Sequence, residues 1–234
     1  MKFTIDQAMF QKYPGLVVGV LVACNIDNTT DSSEVMSQMR AQQEQIRMEF
    51  VGQKLSEHPN IAVWRAAYSA FGAKPKEHRS SVENLYQMVL ANKDMRSINP
   101  LVDCYNLISL KYMVPVGGED LGKVEGDIHL TLAGSAEPAA LLLGDKEPRA
   151  PHAGEVIYKD DVSAICRRWN WREADRTKLT ESTKNAILVI EVLPPVTKGV
   201  LEGALQELKD LIQRFCGGSV TEFVLGKENP MIEF

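Results

Sequence analysis

The chain has 234 residues, 44% of them hydrophobic and 24% charged, an ordinary globular composition that excludes a disordered or fibrous chain. Its longest apolar run, Leu16–Cys24, contains Gly19 and falls well short of the ~20 residues of a membrane span; the start, MKFTIDQAMFQKYPG, has Asp6 and no apolar h-region, so no secretory signal is visible. A net charge of −5 and a pI of about 5.5 argue against coating DNA or RNA by bulk charge, so a nucleic acid has to be gripped through a local patch.

The run Leu16–Ala23 is short, β-branched and bounded by Pro14-Gly15 and Asn25–Asn28, which reads as a buried strand. Asp31-Ser32-Ser33 offers helix caps, and Val35, Met39, Ile46 and Phe50 then fall on one stripe of a long amphipathic helix expected to reach about Leu55. Asn60 is placed to cap a helix carrying Ile61, Trp64, Tyr68 and Phe71, with Gly72 to end it. After the basic loop Lys74–Arg79, Ser80 and Glu83 have the spacing of a capping box. Asn99-Pro100 repeats the start signal, cap then proline. The N-terminal half therefore reads as one strand and four helices.

Gly117-Gly118 reads as the turn that ends the helical run. Strands are expected over 128–133, 141–143, 155–159, 162–168 and 186–193. A strong helix should start near Thr197 and close at Gly217-Gly218, and a last strand runs over 219–225. Segregated helices and strands argue an α+β fold in one integrated domain, 1–234, with a mixed or antiparallel sheet and helices packed around it. The four cysteines (Cys24, Cys104, Cys166, Cys216) are far apart with no C-x-x-C, which fits free thiols in a reducing cytoplasm. The four histidines are isolated, no phosphate loop, nucleophile elbow or zinc helix is present, and neither a metal nor a cofactor is expected.

The densest unusual segment is Cys166–Arg176. Between Ala164 and Lys184 six cations face three acids, and two of the three tryptophans lie there. Arginine forks suit phosphate oxygens, and tryptophan faces suit bases or sugars; Trp169 and Asn170 would belong to such a ligand wall. The alternative is an Arg–carboxylate network packed on tryptophan that binds nothing. Asn106 with Gly117, Gly118 and Asp120 forms a second candidate, since paired glycines let a ligand approach the backbone. Lys76 and Arg79 in the basic loop form a third, as phosphate contacts or as a solvated loop.

Four stretches in this order, VWRAAYSAFGAKPKEHRSSVENL, INPLVDCYNLISLKYMVPVGGEDL, GEVIYKDD and CRRWNWRE, resemble the free-standing B3/B4 domain proteins, relatives of the editing module in the bacterial phenylalanyl-tRNA synthetase beta chain. The resemblance is strongest over 63–193. It implies the same α+β domain and a trans-acting deacylase that hydrolyses the ester of a misacylated tRNA at its 3′ end. Asn106 matches a pocket asparagine of that module. A pocket histidine of the module falls at or beside Gly117, where this chain has none. The module's glycine-rich turn aligns with Arg167–Glu173, and Glu173 is the nearest carboxylate. These departures point away from tyrosine and toward a polar or arginine-like amino acid, read by Asn106 and Asp120. Glu173 or Asp175 would orient the water and Gly117-Gly118 amides would stabilise the oxyanion. Arg167, Arg168 and Arg172, with Lys76 and Arg79, would hold the RNA. A non-catalytic tRNA- or amino-acid-binding module is the competing reading, and a protein-interaction role for the Gln-rich face of the long N-terminal helix is a third.

Overall fold

The computed structural model describes residues 1–234. Ten strands and six α-helices follow in the order β1 (Lys2–Ile5), α1 (Gln7–Lys12), β2 (Val17–Cys24), α2 (Ser33–Glu49), α3 (Pro59–Ala70), α4 (Ser81–Leu90), α5 (Pro100–Tyr112), β3 (Val116–Asp120), β4 (Ile128–Leu132), β5 (Val156–Lys159), β6 (Ala164–Arg167), β7 (Arg172–Glu173), β8 (Asn185–Val192), α6 (Lys198–Phe215), β9 (Ser219–Leu225) and β10 (Met231–Glu233). The fold is α+β, with one mixed and one antiparallel sheet.

Three helix starts follow from short polar caps. Ser80 Oγ accepts from the Glu83 amide at 3.4 Å, Asn99 Oδ1 from Val102 at 3.0 Å and Thr197 Oγ1 from Val200 at 3.4 Å, each satisfying an N–H that the first helical turn leaves free. The helix expected to be capped by Asn60 instead begins two residues earlier, where His58 Nδ1 accepts from the Asn60 amide. Helix α2 stops at Glu49 rather than near Leu55, which falls in a separate 3-10 turn.

One sheet has the order β10-β1-β4-β5-β6-β7, the other β3-β8-β2-β9. All pairings are antiparallel except β1 with β4. Gly117 and Gly118 are not a turn: both lie within β3, paired with Val189 and Leu188 of β8. The residues expected as a strand over 141–143 make only an isolated bridge, Leu142 to Ala174.

Helix α6 packs on β2, β8 and β9. Its Leu205 sits so close over β2 that a Cβ on Gly19 would come within 2.6 Å of it. This helical layer covers the face of the four-stranded sheet that carries Gly19 and its partner Ile190. The alternate residues of β8, Ile187, Val189 and Glu191, point the other way, because strand side chains alternate. They meet the six-stranded sheet across the core. There the row Leu130, Tyr158, Cys166, Glu173 runs across four adjacent strands in register. The six-stranded sheet's opposite face carries Ile157 and Ala164, buried against Ala133, Ala140 and Leu142.

A carboxylate-lined cavity between the sheets

Between the two sheets lies a cavity of about 230 Å³, lined mostly by apolar side chains. One wall is Gly117 and Glu119 of β3 with Ile187, Val189 and Glu191 of β8; the other is Phe3, Ile128, Tyr158, Cys166 and Glu173 of the six-stranded sheet. The turn Trp169–Trp171, with Ser81, Leu143 and Arg172, adds to the lining, as do Val116, Gly118 and Ile165.

That turn is held in an uncommon conformation. Arg168 and Trp169 have φ of 48° and 67°, the left-handed region that costs a bulky residue about 1–3 kcal/mol. Several contacts fix it. The Trp169 amide donates to Val156 O at 2.7 Å. Its indole is fully buried against Trp64 and Tyr13, with ring centroids 5.0 and 4.6 Å away. Asn170 O accepts from the Ser81 amide.

Three carboxylates reach the cavity with no basic side chain paired to them. Glu191, 1% exposed, accepts from Tyr158 Oη at 2.6 Å and Asn170 Nδ2 at 2.7 Å, while Tyr68 Oη donates to Asn170 Oδ1 at 2.9 Å. Burial pushes its carboxyl up to about 7 against these donors. Glu173 is half-buried, and burial raises it to about 7, opposed by the Gly118 amide. Glu119, 7% exposed, is raised by burial and then by the Glu173 charge. Two carboxylates this close in an apolar chamber cannot both ionise easily.

The chamber also holds unanswered polar atoms. Glu119 Oε2, Trp169 Nε1 and Ser81 Oγ are buried without a hydrogen bond of ordinary geometry, although Trp169 lies near enough to Glu191 and Thr177 near enough to Glu119 to favour the ionised carboxylates. All three belong to the cavity lining.

Of the residues singled out from the sequence, Glu173, Gly117, Gly118, Trp169, Asn170 and Arg172 line this cavity. Seven others do not, and four of these, Asn106, Asp120, Asp175 and Arg167, are corrected by their surroundings. Asn106 is half-buried on α5, away from the lining. Asp120 alternates with Glu119 along β3, and its carboxylate accepts from Thr183 Oγ1 at 2.7 Å and the Gly122 amide at 2.9 Å; it shapes a turn. Asp175 pairs with Lys178 at 2.7 Å outside the cavity. Arg167 alternates with Cys166 and so points to the other face of its sheet. It is 2% exposed, with Nε and Nη2 each 2.8 Å from Glu155, and cannot reach RNA.

The two glycines differ as amide donors. Asp120 N–H donates away from β8, to Thr177 O. Alternation in an antiparallel ladder then puts the Gly118 N–H on the same free edge and commits that of Gly117 to β8. Of the expected pair of oxyanion donors only Gly118 keeps an N–H off the ladder, and that N–H faces the Glu173 carboxylate.

The mouth is more basic than the interior. The Arg168 and Arg172 guanidinium carbons lie 4.5 and 4.4 Å from the Trp171 ring centroid, and the His78 ring is 4.7 Å from it. Arg172 also pairs with Asp145 at 2.9 Å. Lys74, His78, His152 and Arg168 share one groove; Lys76, exposed and without an ion pair, lines a second that shares Lys74 with the first. Arg79 stands 3.9 Å from Glu83, whose nearer partner is Arg65 at 2.6 Å. No three His, Cys, Asp or Glu side chains are grouped to hold a metal ion, and no helix is long and apolar enough to cross a membrane.

Sequence reasoning missed Glu119, Glu191, Tyr158 and Ser81. Only for Ser81 was there a local signal, its place after the cap Ser80.

The uncharacterized protein YhzB of Bacillus subtilis (strain 168) is 19% identical over 221 residues, 94% of this chain and 98% of that protein. A crystal structure of an N-terminal fragment of the phenylalanyl-tRNA synthetase beta-subunit from Pyrococcus horikoshii aligns with 95% of this chain at 13% identity and a TM-score of 0.47. The chain spans about half of that fragment, 53%. The B3/4 domain model matches residues 63–217, more than half of the sequence and including β3, both strands of the 164–173 hairpin and β8, so the chain belongs to the B3/4 domain family.

Proposed function

We propose that this protein hydrolyses the ester of misacylated tRNA in trans, in the cytoplasm, and that the amino acid it removes is polar, arginine-like ones included. The observation that carries the reading is Glu173: a carboxyl raised to about 7, without an ion pair, on the wall of a cavity beside a residue with no side chain. A base of that strength is matched to work near pH 7.

The aminoacyl group enters the cavity and the terminal adenosine stays at the mouth, against Trp171 and the Arg168 and Arg172 guanidinium planes, which stack on bases as aromatic rings do. Ionised Glu173 takes a proton from a water as its oxygen bonds to the ester carbon. The Gly118 N–H, on the free edge of β3, favours the ionised form of Glu173 and holds the base for this step. The carbon–oxygen bond to the ribose then breaks, and the ribose oxygen takes the proton back from Glu173. The neighbouring ribose hydroxyl assists as a local donor. Lys76, Arg79 and Arg168 lie along the path of the acceptor-end phosphates, as weak contacts that salt dissolves.

The test is incubation with a panel of mischarged tRNAs. Ester loss from some of them, lowered about 100-fold or more by Glu173→Gln with affinity retained, is the expected result; no loss above background across the panel removes the catalytic reading. A second reading, a non-catalytic module that binds tRNA or an amino acid, draws on the small volume of the cavity, about 230 Å³. It predicts retained affinity with no rate for Glu173→Gln to lower.

A further inference from the structure

The inner end of the cavity has its own chemistry. Tyr158, Cys166 and Glu173 sit on three successive strands in one row, so about two strand spacings, roughly 9–10 Å, separate the backbones of Tyr158 and Glu173. The Tyr158 hydroxyl donates to Glu191 at 2.6 Å. Through Tyr158, Glu191 therefore lies across the strand row from Glu173, tied also to Asn170 of the turn, so that one long side chain with its ester at Glu173 can meet it.

We propose that Glu191 is the specificity-determining residue of this site and that it reads the terminal ammonium or guanidinium group of a long cationic amino acid. The inference rests on the hydrolase reading only for the ester; the binding preference stands without it.

Three observations support a cation. First, Glu191 has no cation beside it: its neighbours are the Tyr158 hydroxyl, the Asn170 amide, itself oriented by Tyr68, and the Trp169 indole. The carboxylate is held as an acceptor with lone pairs to spare, which only a donor can use. Second, the lining has three carboxylates and one cation, Arg172, and that cation is spent on Asp145 and Trp171. A cationic ligand relieves the excess, and a guanidinium fork matches carboxylate geometry. Third, Trp169, Tyr158 and Phe3 line the same cavity, and aromatic faces attract organic cations.

The experiment uses the full chain without tRNA. L-Arginine amide, L-lysine amide, L-citrulline amide and L-tyrosine amide are titrated against tryptophan fluorescence, which Trp169 and Trp171 report from the lining. Arginine and lysine amides are expected to bind at least ten-fold more tightly than citrulline amide, the neutral analogue of arginine. Glu191→Gln should abolish that ratio. If that variant fails to fold, Tyr158→Phe, which removes one donor from Glu191, should lower arginine amide affinity several-fold and leave citrulline amide little changed. Equal binding of citrulline and arginine amides, tightest binding of tyrosine amide, or a ratio unchanged in both variants overturns the assignment. Cation binding with no ester loss from any tRNA would sink the hydrolase reading alone; ester loss confined to neutral amino acids would sink this one alone.

Discussion

Glu173 Oε1 lies 3.8 Å from the point where a Cβ on Gly117 would stand. That is ordinary van der Waals contact, so Gly117→Ala should fold, with a melting temperature close to that of the parent. The added methyl would sit between the carboxylate and any water it orients, and deacylation should fall by one to two orders of magnitude. Gly118→Ala should behave differently. Its Cβ would stand 2.9 Å from the Ile187 carbonyl oxygen, backbone that cannot move without opening the β3–β8 ladder. Thermal unfolding should show that protein strongly destabilised. Equal loss of stability in both would contradict this division of the glycine pair.

The rate should rise with pH through about 7. Burial lifts Glu173 to about that value, and only its ionised form accepts a proton from water. The profile of single-turnover ester loss against pH checks this, and Glu173→Gln should flatten it. A rate that falls over the same range would assign Glu173 as an acid instead.

Stability should run the other way. Glu191 ionises at 4.5 in an unfolded chain and at about 7 in the fold. A carboxyl raised on folding holds its proton longer in the native state, so the unfolded chain loses protons first and stability drops as pH rises from about 4.5 to 7. The loss is of order 3 kcal/mol for this one group. Against their burial, Glu155 is held below its ordinary value by hydrogen bonding and charge from Arg167, and Asp160 by the Glu125 and Ser163 amides and then Arg176; they withdraw stability only at more acid pH, as they protonate. Melting temperatures at pH 5 and pH 8 test the balance: the protein should melt higher at pH 5, and Tyr158→Phe should alter that difference because it removes a hydrogen bond to ionised Glu191.

Replacing Arg167 should damage the fold rather than RNA binding. It makes two 2.8 Å hydrogen bonds to buried Glu155, and removing one partner of a buried pair leaves the other uncompensated, at about 3–5 kcal/mol. Denaturant unfolding of Arg167→Ala should show such a loss, and Arg167→Lys should recover little, since one ammonium cannot occupy both positions of the fork. Lys76→Ala should leave stability unchanged and lower the salt dependence of tRNA binding by less than one unit of log–log slope.

The parts of the fold that could be read from the sequence are those set by near neighbours. Ser80, Asn99 and Thr197 act within one turn, and their helices begin where those residues predict. The β2 run and the stripe of α6 are strong periodic signals. What escaped depends on distant partners. Strands β1, β7 and β10 have four, two and three residues, too few to show a period, and they exist because neighbouring strands pair with them. Gly117-Gly118 reads as a turn by local preference but is a strand because β8 lies beside it. The site divides the same way. Trp169, Asn170 and Glu173 are close in sequence and were found together. Glu119 was passed over for Asp120 because facing is defined only once β3 is known to be a strand, and Glu191 joins the cavity only through topology. Arg167 was misjudged for want of the same alternation.

The strip that carries three excess positive charges in the sequence is nearly silent at the surface. Arg167, Arg172, Arg176 and Lys178 are each matched by an acid, Glu155, Asp145, Asp160 and Asp175, and the whole chain is negative. A protein so neutralised holds a polyanion briefly. On the proposed reading that is an advantage: properly charged molecules are released before they can be harmed, and the decision to cut is left to what fits inside.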